Sequence, residues 1–180
     1  SAAAVAAHYN ARKEKPLSAR KDSEIINVRN YNNWVKGEQL TLCKELKSGV
    51  VLDICGGKGG DLPKYLPKGK WFEGIKHVVL ADVAELSVRA AMGRYPPKRP
   101  APLLLRPTSH MTHTHAHTLT HHTRTHTLTP TTAHTYSCQF ALHYSFEDEA
   151  RARGLMRNVA ERLRPGGVFV GTIPDADEIM

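Results

Sequence analysis

Apolar positions in the first half of the chain switch between two spacings. Ile25, Ile26, Val28, Tyr31, Trp34, Val35, Leu40, Leu42, Cys43 and Leu46 recur at roughly helical intervals, which predicts one or two helices ending at Gly49. Gly49-Val50-Val51-Leu52-Asp53-Ile54 is instead a short continuous apolar run entering the cluster Gly56-Gly57-Lys58-Gly59-Gly60, the pattern of a buried parallel strand that opens into a tight turn. His77-Val78-Val79-Leu80-Ala81-Asp82 predicts a second such strand. From Ala84 to Tyr95 helix formers carry Leu86, Val88 and Met92 near one face, and Pro96-Pro97 stops the helix. Further on, Tyr136 to Tyr144 predicts a strand and its exit. An acidic start at Glu147 to Glu149 opens a helix through Leu155, Met156, Val159 and Leu163 to Pro165-Gly166-Gly167, and Val168 to Ile173 forms a last strand. Strand, turn, helix, strand, helix is the grammar of an α/β fold with a doubly wound, mostly parallel, Rossmann-like sheet.

Residues 108–135 break that grammar. Of these 28 positions eight are His and twelve are Thr, often alternating, with no acidic residue and few apolar ones, so a disordered low-complexity insertion is expected. Imidazole is a common metal ligand, yet the His spacing shifts throughout and no Cys or carboxylate joins it. No metal site is expected. A CACACA repeat read in frame encodes His-Thr-His-Thr, which favours translated microsatellite or intron as the origin of the tract.

The chain has 180 residues, enough for one α/β domain with a real core. Its 25 Lys and Arg against 17 Asp and Glu give a net charge of +8, which favours a polyanionic partner such as nucleic acid. A basic segment over residues 1–23 precedes the domain proper, residues 24–180. Cys43, Cys55 and Cys138 are scattered and odd in number, which suits a reducing compartment. The opening Ser1 to Ala7 lacks a basic start and is too short for a signal or a spanning helix, so a soluble protein without a membrane partner is expected, with Ser1 not its natural beginning.

The chemistry centres on the glycine cluster. A strand ending at Asp53 and turning through glycines brings bare backbone close to a ligand, because glycine has no Cβ in the way and accepts positive φ. Asp82 ends the next strand about twenty residues beyond, the distance at which a carboxylate accepts hydrogen bonds from ribose hydroxyls in nucleotide-binding folds. This spacing fits a nicotinamide dinucleotide almost as well as S-adenosylmethionine. It also fits a plainer role for Asp82 as a cap of the helix that follows.

Taken together, distant segments resemble one family, the eukaryotic mRNA cap guanine-N7 methyltransferases. The likeness lies in Val5-Ala6-Ala7-His8-Tyr9-Asn10, Arg29-Asn30-Tyr31-Asn32-Asn33-Trp34-Val35-Lys36 and Leu52 to Leu62. It continues in Ala81 to Val88, Ser137 to Glu147 and Leu163-Arg164-Pro165-Gly166-Gly167, and skips Pro96 to Thr135. The resemblance implies a class I S-adenosylmethionine-dependent fold, incomplete at the C-terminus. It implies that Lys36, Asp53, Cys55, Gly56, Gly57, Asp82, Gln139 and Tyr144 line the cofactor pocket, and that Asn32, Asn33, Lys58, Lys64, Arg94 and His143 meet the cap guanosine or its triphosphate. It further implies capped mRNA as substrate, proteins of the capping machinery as further partners, and a nuclear location.

Guanine N7 carries an unprotonated lone pair, so no general base is expected and catalysis rests on proximity and orientation. Departures from the family pattern matter in three places. Cys55 stands before Gly56 where the family has a small residue or glycine, so its thiol is expected to crowd the cofactor. No counterpart of the family's acidic residue on the third strand is found. The chain also ends before the family's last strands, which leaves Val168 to Ile173 as an expected exposed edge. The alternatives are an inactive or truncated homologue that only binds RNA or cofactor, and a class I methyltransferase with another substrate.

Overall fold

A computed structural model describes residues 2–12, 22–43, 49–65, 75–94, 103–107 and 133–175. Two helices lead the fold, α1 (Ala2–Ala11) and α2 (Ile26–Leu42). After them come β1 (Gly49–Ile54), the short α3 (Leu62–Tyr65), β2 (Ile75–Asp82), α4 (Glu85–Arg94), β3 (Leu103–Pro107) and β4 (Ala133–Gln139). A 3-10 turn at Leu142–Phe146, then α5 (Glu149–Arg162) and β5 (Leu163–Thr172), complete it. The strands lie in the order β3-β2-β1-β4-β5, and every pairing is parallel.

Alternation along the central strands divides the core into two layers. Val51 on β1 and Val78 and Leu80 on β2 point to one face, where Leu40 of α2, Leu62 and Tyr65 of α3 and Val88 and Ala91 of α4 cover them. Leu52, Ile54 and Val79 point to the other face with Tyr136 and Cys138 of β4, under Leu155 and Val159 of α5. Helices on both faces of a parallel sheet are what near-continuous apolar strands require. Asp148 starts α5 as its N-cap, its Oδ1 accepting from the Arg151 N–H at 2.8 Å.

Several expectations are corrected. A strand that the pattern did not single out is present. Leu103–Pro107 pairs with β2 from Val78↔Leu103 to Asp82↔Pro107, and its proline is tolerated because β3 is an edge of the sheet. None of its five residues is acidic. The His/Thr tract does not run to residue 135 as one loop, because Ala133, His134 and Thr135 are the first residues of β4. Thr135 is fully buried, and His134 Nδ1 accepts from the Val50 N–H at 3.2 Å. Residues 108–132 lie outside the described residues, as do 44–48, where the predicted α2 pattern continued.

β5 begins at Leu163 rather than at Val168. The register jumps from Ala133↔Leu163 to Thr135↔Val168, and the slack is taken up around Pro165-Gly166-Gly167, where Gly166 has φ +75°. Helical spacing did find α2, but only Gly37 and Leu40 are buried along it. Ile25, Val28, Tyr31, Trp34 and Leu42 are exposed. On β5, Val168 and Val170 still pack against one core layer and Phe169 against the other.

Candidate functional site

Parallel order reverses between β1 and β4, and in open sheets of this kind ligands bind in the crevice beyond the carboxyl ends of the strands at that point. Asp53, Cys55, Gly56, Gly57, Asp82, Gln139 and Tyr144 all lie at or just past those ends. The turn after β1 is held close to β2. The Gly56 N–H donates to the Ala81 carbonyl at 3.2 Å, and the Gly57 N–H to Asp82 Oδ2 at 2.8 Å. A Cβ on Gly56 would stand 2.7 Å from the Leu80 side chain and 3.0 Å from Asp53 Oδ2. Gly57 has φ +53° and faces open space. Glycine is thus required at one position for close approach and at the next for conformation.

Asp82 serves the fold as well as any ligand. Its Oδ1 accepts from the Ala84 N–H at 2.8 Å, which fixes the turn into α4, while Oδ2 staples the glycine loop. The capping contact expected of Asp82 is thus present at the start of α4. Burial raises the Asp82 carboxyl above its usual range against the lowering effect of its backbone bonds to Ala84, Gly57 and Val83.

Asp53 is 1% exposed, and its Oδ2 has no hydrogen-bond partner among the described residues. Burial, then repulsion from Asp61, pushes its carboxyl up to about 8 despite a bond from Ser137 and the attraction of Lys36. Cys55 adopts φ +58°, the left-handed conformation that suits glycine better. Its thiol meets Cys138 on β4 and packs against the core layer under α5. The expected crowding of the crevice by this side chain is therefore corrected: what Cys55 presents to the turn is backbone.

Lys36 and Lys64 were assigned to separate pockets, yet one carboxylate holds both. Asp61 Oδ2 lies 2.8 Å from Lys36 Nζ, and Oδ1 lies 2.9 Å from Lys64 Nζ. Burial alone would raise Asp61, but the two ammonium groups overcome it and hold the carboxyl below its usual range. Lys64 also donates to Asn33 Oδ1 at 3.2 Å, and Lys36 stands 5.5 Å above the Phe140 ring. Asn32 and Asn33 line a groove of about 430 Å³ with Arg29, Asn30, Lys36 and Phe140, so this groove opens beside the crevice.

The remaining assigned residues are tied in by their own contacts. Gln139 Oε1 accepts from Thr172 Oγ1 at 2.9 Å, and its Nε2 reaches Gln39 Oε1 and Ser137 Oγ. His143 and Tyr144 place their rings 4.2 Å apart. Arg94 donates to the Lys58 carbonyl at 3.0 Å, and Lys58 Nζ to the Arg12 carbonyl at 3.0 Å, which gathers basic groups at the rim. The sequence reading missed Asp61, although it stands in the quoted Leu52 to Leu62 motif. It also missed Gln39, and Arg29 and Tyr9, both of which stand within quoted motifs.

Fold and crevice together define the class I methyltransferase architecture, a doubly wound domain with its site at the switch point of the sheet. An S-adenosylmethionine-dependent methyltransferase from Mesorhizobium loti superposes with a TM-score of 0.57 at 21% identity, over 79% of this chain and 53% of that one. The DhpI–SAH complex superposes with a TM-score of 0.61 at 15% identity, over 98% and 71%. The mRNA (guanine-N(7))-methyltransferase domain family matches residues 1–180, and the chain belongs to that family. The mRNA cap guanine-N(7) methyltransferase of Caenorhabditis briggsae is 40% identical over 186 residues, covering 100% of this chain and 47% of its own length. Methyltransferase 1 of Oryza sativa is 38% identical over 180 residues, covering 100% and 47%. The chain thus spans about half the length of these curated relatives.

Proposed function

We propose that the crevice binds S-adenosylmethionine and that the whole protein transfers its methyl group to N7 of the guanosine capping an mRNA. The observation that carries this reading is the bridge made by Asp61. It joins Lys36, at the cofactor crevice, to Lys64 and Asn33, beside the groove that would take the cap. The residues present fit the cofactor: Gly57 turns bare backbone to open space, Gly56 packs too closely on Leu80 for any side chain, and a buried carboxyl oxygen of Asp53 has no partner among the described residues.

S-adenosylmethionine supplies an electrophilic methyl on a sulfonium sulfur. Asp82, at the glycine turn, would accept from its ribose hydroxyls, and the buried Asp53 carboxyl would lie near its cationic end. Lys36 would pair with the cofactor carboxylate, Gln139 would orient the same end, and Tyr144 would pack on it. Lys58, Lys64 and Arg94 offset the charge of the cap triphosphate, while Asn32, Asn33 and His143 hydrogen-bond the guanosine. Since guanine N7 needs no deprotonation, the side chains contribute by holding nucleophile and methyl in line, an effect worth roughly 7–11 kcal/mol in favourable cases.

The partner is capped mRNA, consistent with the net charge of +8, and the nucleus is the proposed location, with proteins of the capping machinery as further partners. No helix among the described residues is long and apolar enough to cross a membrane. The test is methylation by the whole protein, with labelled S-adenosylmethionine, of capped RNA against the same RNA carrying a 5′ triphosphate. Label in the capped RNA alone supports the reading; equal label in both, or none, refutes it.

A further inference from the structure

Helix α1 is held in place unlike the other helices. None of its described side chains is fully buried, and it offers the core no apolar stripe. Its docking therefore rests on polar contacts, and these fall on three segments that line the crevice. The Tyr9 hydroxyl lies 3.1 Å from that of Tyr144, past β4. Asn10 Oδ1 accepts from the Leu86 N–H at 3.1 Å in the first turn of α4, and the Arg12 carbonyl accepts from Lys58 Nζ of the glycine loop at 3.0 Å. Burial, the Tyr144 bond and the nearby Asp82 carboxylate push the Tyr9 hydroxyl up to about 12, so it stays neutral and free to donate.

We propose that Tyr9 is a positioning residue of the cofactor site, fixing the Tyr144 ring beside His143 and holding α1 against the crevice. The inference rests on the cofactor reading above. Tyr144 is 43% exposed and would otherwise choose among rotamers; one hydroxyl contact from α1 selects the one seen. Ordering the Tyr9–Tyr144 pair and binding the cofactor then reinforce each other, because each reduces the freedom the other must remove.

The test is a double-mutant cycle in the full chain, with Tyr9→Phe, Tyr144→Phe and both, using S-adenosylhomocysteine as the probe in calorimetry. Each single change should weaken binding about three- to tenfold, and the double change no more than the weaker single, since both remove one shared contact. Hydrogen exchange along residues 3–11 should slow when the probe is added to the wild type, and less so in Tyr9→Phe. Losses that multiply, affinity unmoved by Tyr9→Phe, or exchange in α1 indifferent to the probe would each overturn the role of Tyr9. Failure of the wild type to bind the probe would instead sink the cofactor reading and this inference with it.

Discussion

Replacing Asp53 by asparagine isolates a single buried ionisation. The carboxyl is lifted to about 8 in the fold by burial and by Asp61, against an ordinary 3.8 in the unfolded chain. Between those values the unfolded chain gives up a proton that the folded chain keeps, so stability falls as pH rises and levels off above about 8. Each unit corresponds to about 1.4 kcal/mol, so the loss from pH 4 to pH 7 approaches roughly 4 kcal/mol. Asp82, also raised, adds to the slope in the same sense. Asp61, held low by its lysines, contributes stability that is lost only on further acidification, so the windows separate.

Asparagine keeps the shape of the side chain and cannot ionise, so urea unfolding of Asp53→Asn from pH 5 to 8 should show a slope much flatter than the wild type. Ligand binding offers a second measure. A cofactor bringing positive charge to Asp53 should lower its pKa and release close to one proton at pH 7, read by calorimetry in buffers of different ionisation enthalpy, and Asp53→Asn should release none. An unchanged slope in the variant would refute the buried, protonated state assigned to Asp53.

Other outcomes follow from the same geometry. Gly56→Ala forces a methyl to 2.7 Å from Leu80, itself fully buried, and should cost about 1–3 kcal/mol in chemical denaturation; a neutral result would mean the turn is looser than described. Asp82→Ala should weaken S-adenosylhomocysteine by about 1.5–3 kcal/mol in calorimetry and also lower the unfolding temperature, because the staple to Gly57 goes with it. Thr135→Val removes a buried hydroxyl that has no partner among the described residues and should stabilise by about 1–3 kcal/mol in urea; destabilisation would reveal an unseen partner. Replacing residues 108–132 by a Gly/Ser linker of equal length, which keeps the crossover between the parallel strands β3 and β4, should preserve near-native circular dichroism, whereas replacing 108–135 also removes the start of β4 and should not.

Periodicity made most of the fold legible because the central strands are buried on both faces. A continuous run such as Val50-Val51-Leu52 then carries its own signal. Pattern failed where sequence character and structural role part company. Leu103-Leu104-Leu105 is a short run between prolines beside a polar tract, and only an edge position lets such a strand pair. Thr135 shares the composition of the tract before it yet is buried in β4. The opposite error arose in α2, whose apolar residues look like a core face while Val28, Tyr31 and Trp34 stay exposed.

The residues proposed for the site were nameable from a family motif and the chemistry of each side chain, but their connections were not. A motif indicates that Lys36 and Lys64 matter; only the folded chain brings both to Asp61 across 25 and 3 positions. The pairing of Tyr9 with Tyr144 spans 135 positions, and no local spacing rule reaches that far. Cys55 carries the same lesson with the sign reversed. A side chain that departs from the motif was expected to intrude on the ligand, yet the positive φ of its backbone turns the thiol toward Cys138 and leaves backbone at the turn. Direction, which decides whether a residue serves the crevice or the core, is set by backbone conformation and by distant neighbours. A shared carboxylate couples Lys36, on the proposed cofactor side, to Lys64, on the proposed cap side: Asp61→Asn should weaken binding of S-adenosylhomocysteine and of a cap analogue together in calorimetry, because each lysine loses its ion pair with Asp61, and a loss confined to one ligand would refute the coupling.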